Sequence, residues 1–239
     1  MHLDFSGNVV LVAGGTGGLG RSVTLAFLAE SATVHVTYRN PDEFAALQQS
    51  AGSAAASLTG HRVDVTDEAA VADVIAHILA AYNCLDTLVN TIGGYAGGIP
   101  LWNLDAATLD RMFSLNLRAG YVLARAALVP MRRQGYGSIV NVNAKAALDH
   151  AAGAAAYAAS KAASLALFDS LAADLRGTGI RVNSVLPSII DTPANRSAMP
   201  SADFAAWPKP EDIARVILFL TSDAARVLHG AALPVYGNS

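Results

Sequence analysis

The sequence predicts an α/β fold, a doubly wound parallel sheet of about seven strands with helices on both faces. Short β-branched apolar runs alternate with longer amphipathic stretches, as expected of strands buried between covering helices. The first such run, Val9-Val10-Leu11-Val12-Ala13, ends in glycines and passes straight into a helix-forming stretch. No linker or internal repeat divides the 239 residues, a length that suits one large core. A single domain over 1–239 is the expectation.

The elements follow in order. Val9 to Ala13 is the first strand, by its β-branched content and glycine-rich end. A helix from about Leu19 to Ala29 leads to a strand at Thr33 to Tyr38 and a helix at Pro41 to Gln49. The Ala/Ser/Gly-rich stretch Ala51 to Ser57 reads as a helix end and loop. Arg62-Val63-Asp64-Val65 is a short strand, and Asp67 is a good N-cap for a helix reaching about Ala81. Leu85 to Asn90 is the fourth strand, closed by the glycine-rich run Gly93 to Gly98. Helix with a break covers Ala106 to Arg133, then come a strand at Ser138 to Asn143 and a helix carrying Tyr157 and ending near Leu175. Ile180 to Leu186 is a strand stopped by Pro187. Glu211 to Thr221 is a helix and Ala232 to Val235 the last strand.

Composition excludes several classes. A formal net charge of −3 with no basic stripe argues against nucleic acid, and Arg132-Arg133 reads as a solvated helix end. The single cysteine, Cys84, excludes an internal disulfide, fits a reducing cytosol and reads as a small core residue. No basic leader precedes Val9 and no apolar run is long enough to span a bilayer, so a cytoplasmic protein without a membrane partner is expected. His150 and His229 have no neighbours spaced for metal binding, and no metal site is expected.

Two motifs carry chemistry. Gly14-Gly15-Thr16-Gly17-Gly18-Leu19-Gly20 lies between a strand and a helix, where glycines let the backbone approach a pyrophosphate and present a helix N-terminus to it. Its spacing, G-x-x-x-G-x-G, is one residue longer at its start than the usual dinucleotide fingerprint; alone it could be a tight connection. Tyr157 and Lys161 stand four apart on one helix face. A free phenol titrates near pH ~10, and a neighbouring ammonium lowers that value and readies the oxygen for proton exchange. Alone, such a pair also occurs on solvated helix faces.

With both motifs in place the chain resembles the short-chain dehydrogenase/reductases over almost its full length. Matching residues include Asp64-Val65 beside the adenine, Asn90 after the fourth strand, Gly93, Asn116 in Ser114-Leu115-Asn116-Leu117, and Tyr157 with Lys161. Pro187, Ile190 and Thr192 match the segment that holds the nicotinamide amide. The resemblance implies a Rossmann-type fold, a small-molecule substrate and a homodimer or homotetramer. It makes Tyr157 the proton donor, Lys161 the ribose holder and Asn116 the support of a water chain; otherwise Asn116 serves a helix kink. NAD-specific sites place a carboxylate at the end of the second strand. Tyr38 stands there instead and Arg39 follows, a guanidinium suited to a 2′-phosphate unless it is only a solvated loop charge. The expected cofactor is NADPH, with NADH possible.

In the resemblance a serine thirteen residues before the tyrosine donates to the substrate carbonyl, and here that position is Ala144. Losing one such donor costs a factor of about 10² to 10³ in rate. Neighbouring Asn143 points to the opposite face of an extended strand and is a poor substitute. A changed substrate, a replacement donor and a decayed site are the three explanations. Ala144-Lys145-Ala146-Ala147-Leu148-Asp149 resembles the matching segment of dihydropteridine reductases, as does the stretch from Pro187 through Asp191, Asn195-Arg196, Met199-Pro200 and Phe204 to Trp207. Gly93 to Gly98 matches a loop that carries tryptophan in those enzymes where Tyr95 stands here. This resemblance implies reduction of a quinonoid dihydropterin or similar conjugated heterocycle. Retained Asn116 and the NADPH preference depart from it. Tyr95, Ala144 and Trp207 are the candidate substrate residues. Tyr95 either stacks on a flat ring or packs under its loop, and Trp207, in a lid over 193–208, either closes on substrate or anchors the lid. The alternatives are an NADPH-dependent carbonyl reductase or alcohol dehydrogenase, and a non-catalytic NADPH-binding sensor.

Overall fold

Side chains of the first strand, β1 (Val9–Ala13), alternate between two cores. Val9, Leu11 and Ala13 join one buried cluster, while Val10 and Val12 join the other. Successive strand residues point to opposite faces, so a strand covered on both sides is apolar at every position. The computed structural model describes residues 3–238 and holds six further strands: β2 (Thr33–Tyr38), β3 (Leu58–Arg62), β4 (Thr87–Asn90), β5 (Gly137–Val142), β6 (Ile180–Pro187) and β7 (Ala232–Val235). All neighbours pair in parallel, in the order β3-β2-β1-β4-β5-β6-β7.

Helices cover both faces. On one, α3 (Glu68–Tyr82), α5 (Ala119–Gln134) and α6 (Ala155–Asp174) bury Ile75, Ile78, Leu123, Met131 and Phe168. On the other, α1 (Gly18–Ala29), α2 (Pro41–Ala51) and α8 (Pro210–Thr221) bury Val23, Phe27, Leu47, Ile213 and Ile217. The short α4 (Ala106–Phe113) and α7 (Pro193–Ala198) lie at the sheet's ligand-facing end of the chain path, after β4 and β6. Arg181 of β6 donates to the carbonyls of Leu220, Thr221, Ser222 and Ala225, partnering groups that the end of α8 leaves unpaired. No helix among the described residues is long and apolar enough to cross a membrane.

Two expectations need correction. The third strand is Leu58–Arg62, not Arg62 to Val65. Arg62 pairs with Tyr38, the last residue of β2, so Val63, Asp64 and Val65 continue past the end of the sheet. Their apolar residues pack under α3 and the neighbouring cleft, which gave them a strand-like pattern. The break expected between Ala106 and Arg133 is a π-helical segment, Ser114–Arg118, with Asn116 buried within it. Such a bulge rotates the following residues and often marks a functional position.

The sheet order places β1 between β2 and β4. The chain leaves β1 towards one edge, then returns to build the other half outward from β4. A crevice opens outside the carboxyl ends of strands at such a reversal, and ligands bind there.

His35 of β2 and His61 of β3 share a hydrogen bond, Nδ1 to Nε2, of 3.0 Å, and His35 is 4% exposed. Burial, and then the charge of His61, push His35 from 6.5 down to about 4, and burial followed by His77 lowers His61 as well. The folded state therefore binds fewer protons than the unfolded chain between those two values. The stability from keeping the pair neutral is complete above about pH 6.5 and is lost as pH falls, at up to ~1.4 kcal/mol per pH unit for His35. His35→Gln is expected to flatten the pH dependence of the urea midpoint between about pH 4.5 and 6.5; an unchanged slope would acquit the pair.

Candidate active site

The crevice at β1 and β4 begins with the glycine turn. Gly14 leaves β1 at φ +77°, a conformation that glycine alone adopts without strain. Its N–H donates to Thr37 Oγ1 at 3.0 Å, and Thr91 Oγ1 donates to the Ala13 carbonyl at 2.7 Å, tying the turn to β2 and β4. A Cβ at Gly20 would stand 2.1 Å from the Gly14 carbonyl oxygen. The turn thus lies directly on the first turn of α1, whose N-cap, Gly17, offers no side chain to its free N–H groups. Those amides and the helix dipole form an anion site. Leu19 points into the core instead, at 8% exposure.

A cleft of about 360 Å³ extends from this turn. Of the residues the sequence singles out, Gly14, Thr16, Gly17, Tyr38, Arg39, Asp64, Val65 and Gly93 line it. Thr37, Asn40, Glu43, Val63, Thr66, Thr91, Ile92 and Leu115 complete the wall and were not foreseen as site residues. Tyr38 stacks on Phe44 with ring centroids 4.6 Å apart. Asp64 accepts from the backbone N–H and hydroxyl of Thr66, which, helped by Arg39, hold its carboxyl below the usual range. Across the turn, a Cβ at Gly18 would meet Thr192 Cγ2 at 2.9 Å, so the segment after Pro187 closes over the start of α1. Thr192 also caps α7, and the Ile190 carbonyl accepts from Asn195 Nδ2 at 2.8 Å.

The other side of the crevice belongs to α6 and the loop after β4. Asn116 Nδ2 donates to Ser160 Oγ at 2.9 Å and to the Gly94 carbonyl at 3.1 Å, while its Oδ1 accepts from Gly94 N at 2.9 Å. A Cβ at Gly93 would lie 3.0 Å from Asn116 Oδ1 and 3.3 Å from Lys161 Nζ, so these three predicted residues meet at one point. Asn90 Nδ2 donates to Asn141 Oδ1 at 2.9 Å, and Asn141 Nδ2 donates to Ser164 Oγ at 3.3 Å. This buried amide ladder fixes the loop base; Asn90 Oδ1 accepts from Ile92 N at 3.1 Å. Asn141, Ser160 and Ser164 were missed, although a polar residue alternating with core valines in β5 signals a partnered buried group.

Lys161 is 5% exposed and its Nζ donates to the Val142 carbonyl at 3.2 Å. Burial pushes its ammonium down to about 8. The Tyr157 phenol moves the other way. Burial first, and then the nearby Tyr95, push it up to about 12. The lowering expected from Lys161 is not seen: burial and Tyr95 set the direction, while Lys161 Nζ gives one of its hydrogens to the Val142 carbonyl. At neutral pH Tyr157 holds its proton and most Lys161 is charged.

Tyr95 is 70% exposed and meets the Tyr157 ring edge-on at 4.9 Å, while its hydroxyl end lies against Gly97 of its own loop, where a Cβ would stand 1.9 Å from the Tyr95 oxygen. Ala144 is buried and brings no hydroxyl. Asn143 cannot stand in for one, because its Nδ2 donates to the Lys161 carbonyl at 3.1 Å and its Oδ1 accepts from Ala144 N at 2.9 Å. Trp207 is 7% exposed and packs on Phe204, which places it as the anchor of its segment and not at an open substrate surface. Among the described residues no group of three or more His, Cys, Asp or Glu is placed to hold a metal ion. A larger cavity, about 740 Å³, lies between α5 and α6 and shares no residue with this crevice.

A buried lysine held by one carbonyl bond opposes folding. Lys161→Met is expected to raise the melting temperature of the ligand-free protein by roughly 3–8 °C at pH 7, measured by calorimetry. A lower melting temperature would show that the Val142 bond outweighs desolvation.

Comparison with known proteins converges on one family. The family described as short chain dehydrogenase matches residues 8–203. The 3-oxoacyl-(acyl-carrier-protein) reductase FabG of Thermotoga maritima is 30% identical, covering 98% of each chain. The cyclopentanol dehydrogenase of Comamonas testosteroni is 35% identical over 96% of this chain and 95% of its own. Among solved structures, a short-chain type dehydrogenase/reductase from Mycobacterium ulcerans superimposes with a TM-score of 0.93 at 28% identity, covering 99% and 90% of the two chains. ElxO with NADP bound gives 0.90 at 26% identity, covering 96% and 97%.

Proposed function

This chain belongs to the short-chain dehydrogenase family, and within it we propose that it is an NADPH-dependent reductase of a small conjugated ring. The observation that carries the reductase reading is the meeting of Lys161 and Asn116 at Gly93, which lines a glycine-rich cleft, with Tyr157 one turn before Lys161 on α6. That cleft fits the dinucleotide. The contact between Gly20 and Gly14 leaves room only for backbone beside the start of α1, and Arg39 stands where a 2′-phosphate would be recognised. The NADP held by the structural relative ElxO supports the same choice. Gly14, Thr16, Gly17, Gly18, Asp64, Val65, Asn90, Pro187, Ile190 and Thr192 would hold it, and when bound it supplies the hydride.

The protein's own residues do the rest. Tyr157, neutral at pH 7, donates its phenolic proton to the acceptor. Lys161 supplies positive charge beside the phenol as the proton leaves, and Asn116 keeps the Gly93-Gly94 backbone against α6. Ala144 determines the acceptor class. With alanine at 144 and Asn143 committed, neither residue at the end of β5 offers a side-chain donor to a localised oxyanion. An acceptor that spreads the arriving electrons over a ring, such as a quinonoid dihydropterin, needs the proton more than the clamp.

A second reading, a carbonyl reductase or alcohol dehydrogenase, is favoured by the names of the relatives, which act on an oxoacyl group and on cyclopentanol. It requires another donor, and Tyr95, whose ring meets that of Tyr157, would supply one if its hydroxyl turned away from Gly97.

One assay panel separates the readings. Quinonoid dihydropterin, cyclopentanone and a 3-oxoacyl thioester are offered with NADPH to wild type, Tyr157→Phe and Ala144→Ser. The proposed reading expects turnover of the conjugated ring, cut about 10²- to 10⁴-fold in Tyr157→Phe with NADPH binding retained. Ketone turnover is expected to rise about 10- to 100-fold in Ala144→Ser. Rapid ketone turnover by wild type, abolished in Tyr95→Phe, would establish the second reading instead. Tight NADPH binding without turnover of any acceptor would leave a sensor.

A further inference from the structure

We propose that Glu43 is the carboxylate of the adenosine pocket: it receives the ribose hydroxyls of NADH, opposes the 2′-phosphate of NADPH, and so limits the selectivity that Arg39 provides. This rests on the reading of the cleft as a dinucleotide site. At the end of β2 the side chains are Tyr38 and Arg39, and neither is an acid. The chain then turns sharply, because Asn40 caps α2 by accepting from Asp42 N at 3.0 Å. That turn returns the first turn of α2 to the cleft, where Glu43 lines the same wall as Thr16, Arg39 and Asn40.

Glu43 Oε2 accepts from Thr16 Oγ1 at 2.9 Å, bridging α2 to the glycine turn across the cleft. One rim therefore carries a cation and an anion. The other nearby acid, Asp64, accepts two bonds from its own neighbour Thr66, which keeps its carboxylate within its local turn. Glu43 is differently placed. Its bond is to a single hydroxyl, and a ribose hydroxyl is the same kind of donor, so a sugar can replace Thr16 at no loss of hydrogen bonding. A phosphate has only acceptors to offer and brings close to two negative charges beside an existing one. Charge repulsion of this kind discriminates ligands by penalising one of them. Arg39 pulls towards NADPH, Glu43 pulls towards NADH, and the outcome is a protein that takes both with a modest preference.

The test reads binding, not turnover. Dissociation constants for NADPH and NADH are measured by cofactor fluorescence, and for 2′,5′-ADP and 5′-AMP by calorimetry, on wild type, Glu43→Gln and Thr16→Val. Glu43→Gln is expected to bind NADPH and 2′,5′-ADP about 5- to 30-fold more tightly, an effect that shrinks in 1 M salt. NADH and 5′-AMP are expected to bind about 2- to 10-fold more weakly to the same variant. Thr16→Val breaks the observed bond but keeps the charge, and is expected to leave the NADPH-to-NADH ratio within about twofold of wild type. Equal changes for all four nucleotides in Glu43→Gln, or a ratio shift in Thr16→Val as large as in Glu43→Gln, would overturn the proposal, since the bond and not the charge would then matter. If wild type binds none of the four, the dinucleotide reading itself falls and this inference falls with it.

Discussion

A side chain at Gly20 would collide with the Gly14 carbonyl, and the rest of the crevice is arranged around that contact. It forces the end of β1 and the start of α1 to meet through backbone alone. The free amides of α1 then face the opening between β1 and β4, where the order of the sheet reverses. Thr37 of β2 and Thr91, the residue that follows β4, hold the turn in that position from both sides. Each later element of the cleft is placed relative to this anchor, from Asp64 at the sheet's edge to Thr192 over Gly18.

On the opposite wall the governing term is loss of water. Lys161 is buried and Tyr157 half-buried, and loss of water moves their ionisation in opposite directions, the phenol up and the ammonium down. Both shifts favour the neutral forms, so the pair is stored as an acid that has not yet been used and a cation under strain. The surrounding polar groups, Asn116, Ser160, Asn90, Asn141 and Ser164, satisfy one another and keep the loop glycines within reach of the lysine. Each of the two sets, Asn116 with Ser160 and Asn90 with Asn141 and Ser164, is costly to disturb at any member.

Much of the architecture could be read from the chain. Uniformly apolar β1, the glycine-ended first turn and the proline-stopped sixth strand correspond to observed elements, with ends moved by a few residues. β3 was misplaced because an edge strand, Leu58–Arg62, has only a weak apolar pattern, while Val63 and Val65 bury themselves beyond the sheet. The glycines and the Tyr157/Lys161 pair were visible through local spacing. Glu43 was not, since nothing in its neighbourhood says that α2 turns back on Thr16. Nor did spacing reveal that Asn143 would be spent on backbone partners.

Local chemistry in the sequence by itself determined the alternation of elements, the bare-backbone turn, the helical pairing of tyrosine with lysine and the missing hydroxyl at Ala144. These depend on residue type and on separations within one element, which a linear chain specifies directly. Tertiary structure alone decided the electrostatics. It determined that Lys161 would lie dry against Val142, that Tyr157 would be raised and not lowered, and that Tyr95 would reach it. It also set an acid from α2 beside Arg39. Charge and solvation depend on distances between elements far apart in the chain, and those distances exist only once the sheet has brought the elements together.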